Sequence, residues 1–365
     1  MGNRPMRPEA VKPCRRGALV FLAGAATAAC SASRQPLRTA AGVIKAAKRE
    51  GRLTVYSNTS MESQIAKGFK ALFPEIELRF IDSYSNKIHE DILAEASSSA
   101  PRADLVWSSS MDNQIKLIND GYAQTYKSPE RGRLPEWAVW RNQGFGLTAE
   151  PIGFAYNRRL LAFDEVPKSH AQLLSALHDK PDAWRGRIAL YDPRDSGVAL
   201  LHLSADIQAY ADTWPLMDAI GDSDPLLVVS GQHTLDAIAS GKRLFAYNMN
   251  LAYAARYAAE RNTDIGVIIP SDYNLLISRV AFIPRTAPHS NAARLFLDYL
   301  LSATGAAAME MDYLPSAAAL SGKTTATTLP VRVGPALLAN LDQARRAHLL
   351  KRWTQAVQGR PRPMA

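Results

Sequence analysis

The chain has 365 residues, 47% of them hydrophobic and 21% charged, with a formal net charge of +9. This length suits two domains, and the composition allows folding without metal or disulfide staples. Past residue 40 no apolar stretch reaches the roughly 18 residues that predict a membrane span, so we expect a soluble body. No Lys/Arg run with interleaved aromatic residues predicts nucleic-acid binding.

The first 30 residues are typical of an export signal. Five basic residues and one acid precede the small apolar run "GALVFLAGAATAAC". The alternative interpretation is a frayed N-terminal helix. The segment "ATA" at 26–28 suits an ordinary signal peptidase, whereas "TAAC" resembles a lipobox that would leave Cys30 lipidated as the first residue. We therefore expect a periplasmic protein, with a possible lipid anchor at Cys30.

Removal of the leader changes two totals. The net charge falls to +5, a mildly basic surface that suits an anionic ligand or an acidic membrane face. Both cysteines, Cys14 and Cys30, lie in the leader. The mature chain is therefore expected to have no internal disulfide, no thiolate nucleophile and no cysteine-based metal site.

The first half of the chain alternates strand and helix. Strands are predicted in "LTVYS", "IELRFIDS" and "ADLVWSSS", and each is followed by a helical pattern. The helix after "LTVYS" is expected to open with a T-x-x-E capping box at 59–62. Such alternation favours a mainly parallel sheet covered by helices, with ligands outside the carboxyl ends of its strands.

The second half repeats this design. A crossing strand is predicted in "GFGLTAEPIGFAYNRRLL", and strand–turn–helix units follow in "GRIALYDPRDSGVALLHLSADIQAYA" and "PLLVVSGQHTLDAIASGKRLFAYNMN". The last clear helix is "SNAARLFLDYLLSATG". Residues 315–335 are expected to wrap the surface, and residues 346–365 to form a C-terminal tail.

Small polar residues follow two of the predicted strands. Ser57, Asn58 and Thr59 follow the first, and Ser109 lies among three serines after the third. The first N–H groups of a helix lack internal partners and lie at the positive end of its dipole, so they can bind an anion. The alternative is plain N-capping, which needs only one such residue.

The segment "DPRDSG" at 192–197 is a sharper signal. Gly197 would let a ligand approach the backbone, and Ser196 can donate its hydroxyl. Tyr156 and Tyr273 are predicted where the chain leaves and re-enters the first domain, where phenols can donate to anions or ligate ferric iron. Each tyrosine could equally be a packing residue with a solvated hydroxyl.

Enzyme signatures are missing from the sequence. It has no G-x-S-x-G elbow, no H-E-x-x-H pair and no P-loop, and its seven histidines show no ligand spacing. We therefore expect no catalytic residues, no metal site and no cofactor.

Taken in order, "RLTVYSNTS", "ADLVWSSS", "PIGFAYNRR", "RIALYDPRDSG", "AYNMN" and "NAARLFLDYLL" resemble the periplasmic solute-binding proteins of bacterial ABC importers. The most similar branch includes ferric-ion, phosphonate and phosphoglycerate-type binding proteins. The resemblance implies a two-lobed α/β fold of type II, each lobe a mostly parallel sheet flanked by helices. Lobe 1 would comprise 37–150 plus 274–345, and lobe 2 would comprise 151–273.

The resemblance also implies where ligand would bind and what would receive it. The implied contacts are Ser57, Asn58, Thr59, Ser109, Tyr156, Ser196, Gly197, Asn248, Asn250 and Tyr273. The expected partners are a small anionic ligand and an ABC permease of the inner membrane, and the protein is expected to be a monomer.

The sequence departs from the ferric-binding pattern at one point. Leu251 and Ala252 stand where ferric-binding members carry two adjacent tyrosines. This departure favours an organophosphate or a phosphonate over iron, because hydroxyl and amide turns suit such head groups. The alternatives are a ferric-ion binding protein, a ligand sensor for a two-component kinase, and a secreted phosphoester-processing enzyme.

Overall fold

A computed structural model describes residues 37–58, 63–320 and 325–358. The predicted leader with Cys14 and Cys30, the candidate contact Thr59 and the last seven residues lie outside these ranges. Within them, no helix has both the length and the apolar character needed to cross a bilayer.

The strands of the described residues are, in chain order, β1 (Arg52–Ser57), β2 (Glu77–Asp82), β3 (Leu105–Ser108), β4 (Val139–Trp140), β5 (Gly144–Gly146), β6 (Glu150–Asn157), β7 (Ile188–Tyr191), β8 (Leu226–Val228), β9 (Phe245–Asn250), β10 (Ile265–Ile268), β11 (Asn274–Ile277), β12 (Val280–Phe282) and β13 (Thr328–Pro330). The α-helices are α1 (Ala41–Glu50), α2 (Gln64–Leu72), α3 (Ser85–Ala96), α4 (Met111–Asn119), α5 (His170–Asp179), α6 (Pro181–Trp184), α7 (Gly197–Ala209), α8 (Thr213–Asp222), α9 (Gly231–Ala239), α10 (Leu251–Arg261), α11 (Ser290–Leu301), α12 (Ala303–Met311) and α13 (Gln343–Gln358).

The first sheet has the strand order β2-β1-β3-β12-β5-β4. Strand β1 runs parallel to β2 and β3, while β12, β5 and β4 pair in antiparallel fashion. Its core is aromatic: the rings of Phe69 and Phe296 meet edge to face at 4.9 Å, and Trp107 and Tyr299 are buried with them.

The second sheet has the strand order β13-β11-β6-β9-β7-β8, and β10 also pairs with β6. Strands β8 and β9 run parallel to β7, whereas β6 is antiparallel to β9, β10 and β11. The rings of Phe154 and Phe245 lie 5.2 Å apart in its core. The predicted α/β class and pair of sheets are confirmed, but both sheets are mixed rather than mostly parallel.

The two sheets are joined by the segments between β5 and β6 and between β11 and β12. Ile277 is paired with Glu150 in the second sheet, and Val280 is paired with Gly146 in the first. The return to the first sheet therefore comes at residues 278–279 rather than at 274. Strand β13 pairs with β11, so it too belongs to the second sheet and not to the lobe in which the sequence placed it.

A third link is formed by the C-terminal segment. The short helix Pro335–Leu341 packs on α4 of the first lobe, and α13 packs on α8 of the second lobe. Trp353, Ala356 and Val357 are buried on α13. The predicted tail at 346–365 is therefore wrong for residues up to 358, because a helical apolar stripe there binds the second core.

Candidate functional site

The carboxyl ends of the parallel strands lie at the junction between the two sheets. In the first sheet, Val280 at the start of β12 lies opposite Ser108 at the end of β3. This register brings Arg279 beside the serines that follow β3. In the second sheet, Asn250 at the end of β9 lies opposite Ile152, near the start of β6. Polar residues from both sheets therefore meet at one level of the molecule.

Asn58 is the centre of the contacts on the first lobe. Its side-chain amide donates to Ser109 Oγ at 2.7 Å and to Ser85 Oγ at 2.9 Å. Its carbonyl oxygen accepts from the backbone N–H of Ser109 at 3.2 Å and from Arg279 Nη1 at 3.0 Å. The structure thus brings together two of the predicted ligand contacts, Asn58 and Ser109, although they are 51 residues apart in sequence.

Arg279 forms a buried ion pair with Glu150. Arg279 Nε lies 3.0 Å from Glu150 Oε1, and the two side chains are only 10% and 1% exposed. Thr148 Oγ1 donates to the same carboxylate at 2.7 Å, and Asn250 Nδ2 donates to Glu150 Oε2 at 2.7 Å. A buried carboxylate with this many partners is held firmly in one position.

These residues form one connected group, which we call the junction cluster: Asn58, Ser109, Thr148, Glu150, Asn250 and Arg279. Asn250 also caps α10, because its side-chain oxygen accepts from the N–H of Tyr253 at 3.0 Å. The cluster therefore runs from the end of β1 in the first sheet to the start of α10 beside the second sheet. Within it, the positive charge of Arg279 is matched by the negative charge of Glu150.

The turn before α7 presents an open helix start. Ser196 is the N-cap and accepts from the N–H of Ala199 at 3.3 Å. A Cβ built on Gly197 would meet no atom within 4 Å. Within the described part of the chain, the N–H groups of Gly197 and Val198 have no hydrogen-bond acceptor. Backbone donors at the positive end of a 13-residue helix are therefore accessible to a ligand.

Arg194, in the same turn, is bound within the protein. Its Nε donates to both oxygens of Asp192, at 2.9 and 3.1 Å, and its guanidinium lies 5.3 Å from the centre of the Trp353 ring. This pairing fixes the turn and balances the positive charge of Arg194 with the negative charge of Asp192. Asp195 is exposed.

Ser57 is buried at the end of β1, 0% exposed. Its backbone oxygen accepts from the N–H of Ser83 at 3.0 Å, which ties the ends of β1 and β2 together. Among the described residues its hydroxyl has no hydrogen-bond partner. It adjoins Asn58 in sequence, so it lies at the margin of the junction cluster.

Tyr156 is placed away from the junction. It is paired with Phe245 at the start of β9, whereas the junction contains Asn250 at the end of that strand. The distance along β6 from Glu150 to Tyr156 is six residues, or about 20 Å. Tyr156 is only 4% exposed and packs in the second core, so the packing alternative describes it.

Asn248 and Tyr273 belong to a buried network around Asp206. Tyr273 and Tyr247 each donate a hydroxyl to the Asp206 carboxylate at 2.8 Å, and Asn248 Nδ2 donates to it as well. Burial raises the pKa of Asp206. The ring of His170 stacks on Tyr273 at 4.0 Å. The polar groups of these two predicted ligand contacts are thus occupied by an internal carboxylate, which corrects their expected accessibility.

The helix after β1 begins later than the sequence predicts. It starts at Gln64 with Ser63 as N-cap, not at the predicted capping box, whose residues lie outside the described ranges. The N–H groups of Gln64 and Ile65 donate to the two oxygens of Asp312 at 2.9 and 3.1 Å. A carboxylate of the protein therefore occupies the helix start that we expected to bind an anion.

The start of α4 is also occupied from within. Asp112 accepts from Ser110 Oγ at 3.0 Å and from the N–H of Asn113 at 2.9 Å. Burial raises the pKa of Asp112. Of the three helix starts that sequence reasoning singled out, only that of α7 has an open approach in the described structure.

Sequence reasoning missed Glu150, Arg279 and Asp206. Each has a signal in hindsight, because each is a lone charge inside an apolar segment: "TAEPIGF", "LLISRVAF" and "LHLSADIQA". A buried charge needs a partner, so such residues mark polar networks. The described residues contain no group of three or more His, Cys, Asp or Glu side chains that could hold a metal ion.

Two α/β lobes with polar residues at the junction of their sheets define a class, the two-lobed solute-binding proteins. The sequence profile of one family, described as bacterial extracellular solute-binding protein, matches residues 64–327. The chain belongs to this family. Membership implies a periplasmic location and a solute-binding protein rather than an enzyme.

Solved structures agree with this assignment. The substrate-binding protein of an ABC transporter from Agrobacterium tumefaciens is 30% identical, with a TM-score of 0.76, over 84% of this chain and 94% of that one. No curated protein sequence matches the chain closely enough to count as a relative.

Two more distant structures share the fold only. AfuA from Actinobacillus pleuropneumoniae, with fructose-6-phosphate bound, is 18% identical with a TM-score of 0.63, over 84% of this chain and 99% of that one. Iron-bound HitA from Pseudomonas aeruginosa is 18% identical with a TM-score of 0.60 over the same shares. The ligands of such neighbours differ, so the fold does not determine which solute this chain binds.

Proposed function

We propose that the protein binds a small anionic solute, an organophosphate or a phosphonate, at the junction of its lobes and delivers it to an ABC permease. The observation that carries the proposal is the open start of α7. There the hydroxyl of Ser196 and the N–H groups of Gly197 and Val198 lie at the carboxyl end of β7. That end shares an edge of the second sheet with Asn250 and the junction cluster.

The chemistry of this position favours a phosphate or phosphonate head group. Because Glu150 already balances Arg279, the ligand's charge would be stabilised mainly by N–H and O–H donors. Helix starts act in this way without a buried counter-charge. The AfuA structure, with its bound sugar phosphate, shows that this fold can hold such a ligand, which supports the proposal without deciding it.

Capture would work by closure of the two lobes. Ligand contacts made by both lobes stabilise the closed form relative to the open form. Asn58 and Ser109 would contribute from the first lobe, and Ser196 and Gly197 from the second. Asn250, which donates to Glu150 in the junction cluster, would be a further contact.

A thermal-unfolding panel tests the ligand class. The mature protein is heated with glycerol 3-phosphate, 2-aminoethylphosphonate, malate or ferric citrate, and ligand retained through purification is identified by mass spectrometry. A specific ligand at 100 times its dissociation constant should stabilise the protein by about 2.7 kcal/mol. Stabilisation by ferric citrate alone would overturn the phosphate proposal.

We also propose that the mature protein is a monomer anchored through a lipidated Cys30. The support for the anchor is the "TAAC" sequence at residues 27–30, which lie outside the described structure. The intact mass of protein from the membrane fraction should exceed that of the chain from Cys30 by a lipid adduct. Recovery of an unmodified chain, starting after "ATA" at 26–28, would instead show simple cleavage. Sedimentation of the detergent-solubilised protein tests the monomer.

A further inference from the structure

A groove lies among three helices of the second lobe, and none of its lining residues belongs to the junction cluster. It has a volume of about 350 Å³, and its walls come from α7, α8 and α13. Its lining consists of Ser204, Ile207, Trp214, Arg345, His348, Leu349 and Arg352. The groove residues on α7, Ser204 and Ile207, lie seven and ten residues from Gly197, which is about 10 to 15 Å in a helix. The groove is therefore separate from the proposed solute site.

The floor of the groove is apolar. Ile207 and Leu349 contribute aliphatic surface, and the half-buried indole of Trp214 forms an aromatic wall. Arg352 lies 4.8 Å from the centre of that ring and makes a two-pronged ion pair with Asp218, at 3.0 and 3.1 Å. The charge of Arg352 is thus matched within the protein, and its guanidinium holds the indole in position.

The rim of the groove carries charge that the protein does not match. Helix α13 has four Arg or Lys residues and one histidine at 345–352, and no acid between 343 and 358. Arg345 and His348 are exposed and line the groove, and their side chains make no hydrogen bond or ion pair within the described structure. Asp342 accepts from the backbone N–H of Arg345, at 2.7 Å, so it acts as a helix cap.

We infer that this groove is a second binding site, for a small amphipathic anion that carries one ring and one carboxylate or phosphate. The ring would pack on Trp214 and Leu349, and the anionic group would lie at Arg345 and His348. The volume is at the lower end of the range for small-molecule pockets, which begins at about 300 Å³. It suits a single ring better than a protein segment, which would need a longer groove.

The test uses 4-fluorobenzoate as the probe and the full mature protein. Binding is followed by fluorine NMR titration, and 4-fluorobenzamide serves as the neutral control of the same shape. The carboxylate should bind at least about tenfold more tightly than the amide, because a charge-assisted hydrogen bond is lost with the amide.

Three variants localise the probe. R345Q should weaken binding about tenfold, and W214L should weaken it about threefold through loss of ring stacking. K351Q is the matched control, because it removes one charge from the same exposed helix at a residue that does not line the groove; it should change binding less than about twofold. Melting curves check that each variant is folded.

Three results would overturn the inference. One is the absence of saturable binding of 4-fluorobenzoate to the wild-type protein. The other is binding that R345Q and K351Q weaken equally, because that would show general attraction to a basic helix. Displacement of the probe by glycerol 3-phosphate in the wild type, with no effect of R345Q, would place the probe at the lobe junction and would equally overturn the inference.

Discussion

At the junction, the two sheets differ in how far their polar groups are already hydrogen-bonded within the protein. At the first sheet the polar groups bind one another: Asn58 contacts Ser109 and Arg279, and Asp312 occupies the start of α2. At the second sheet the start of α7 is open, and the Cβ position of Gly197 has empty space around it. Both edges show small polar residues in sequence, yet among the starts of α2, α4 and α7 within the described residues, only that of α7 has backbone N–H groups without an acceptor. The residues before a helix therefore do not reveal whether its first N–H groups are free.

The largest expected effect comes from breaking the ion pair between Arg279 and Glu150. E150A leaves the buried guanidinium of Arg279 without its carboxylate, which we expect to destabilise the fold by about 3–5 kcal/mol. Urea unfolding at neutral pH measures this change. The matched control is the double variant E150L/R279M, which removes both charges and should recover much of the loss. A loss below about 1 kcal/mol for E150A would show that the pair does not hold the junction.

A pH effect is expected on the second lobe, from His202 on α7. Burial lowers the pKa of His202 to about 4, and its Nδ1 lies 3.1 Å from the carbonyl oxygen of Asn248. The unfolded chain, with a pKa of about 6.5, binds a proton first as pH falls. The contribution of His202 to stability is therefore present above about pH 6.5 and is lost towards about pH 4, up to about 3 kcal/mol.

The measurement is urea unfolding of the wild type and H202Q at several pH values from neutral to about 4.5. The difference between the two proteins should shrink as pH falls through this window, because the variant has no group to protonate there. The raised pKa of Asp206 acts in the opposite direction in both proteins and cancels in the difference. A difference that does not vary with pH would refute the assignment.

A smaller effect is expected at the start of α2, where removal of one carboxylate should free the first N–H groups of the helix. D312A removes the carboxylate that accepts from Gln64 and Ile65, so α2 should lose about 1–2 kcal/mol. The freed N–H groups should then bind an anion, and added sulfate should raise the melting temperature of D312A more than that of the wild type. D312N, which keeps one acceptor, should lie between them. Equal sulfate responses would show that the start of α2 is covered by something other than Asp312.

The smallest effect on stability is expected at the start of α7. G197A places a methyl group in empty space at the first turn of α7. The free energy of unfolding should therefore rise by no more than about 1 kcal/mol. Affinity for the anionic solute should fall about tenfold, because the methyl group would occupy the approach to the backbone. G42A on α1, where the Cβ position is equally open, should leave affinity unchanged. Unchanged affinity in G197A would remove the main support for the site.

Much of the fold could be predicted from the sequence. The alternation of strands and helices comes from local patterns, because periodicity shows which face of each element is buried. The return to the first sheet lies at residues 278–279 and not at the predicted 274. The bounds of the return were harder, since Leu275 and Leu276 suit either sheet. The C-terminal helix was not predicted, because most of its residues are polar and only a few apolar residues, such as Trp353, pack it on the core.

The binding site remains a proposal, and the sequence predicted the position of only some of its candidate residues. Asn58, Ser109, Ser196 and Gly197 lie at strand ends, where topology places ligands in such folds. Tyr156 and Asn248 did not gather with them as accessible groups, because strand register and buried acids decide where a side chain points and what it binds. No local pattern predicts that Glu150 binds Asn250 or that Asp312 binds Gln64, because each of these contacts joins residues 100 or more positions apart.

The route of the C-terminal segment restrains how the protein can move. The short helix Pro335–Leu341 packs on α4 of one lobe, α13 packs on α8 of the other, and Asn340 accepts a hydrogen bond from Ser204 at 2.8 Å. Two connecting strands alone would permit twisting as well as bending. We expect a third connection between the lobes to restrict twisting more than two strands would, so that open and closed forms differ mainly by one bending angle.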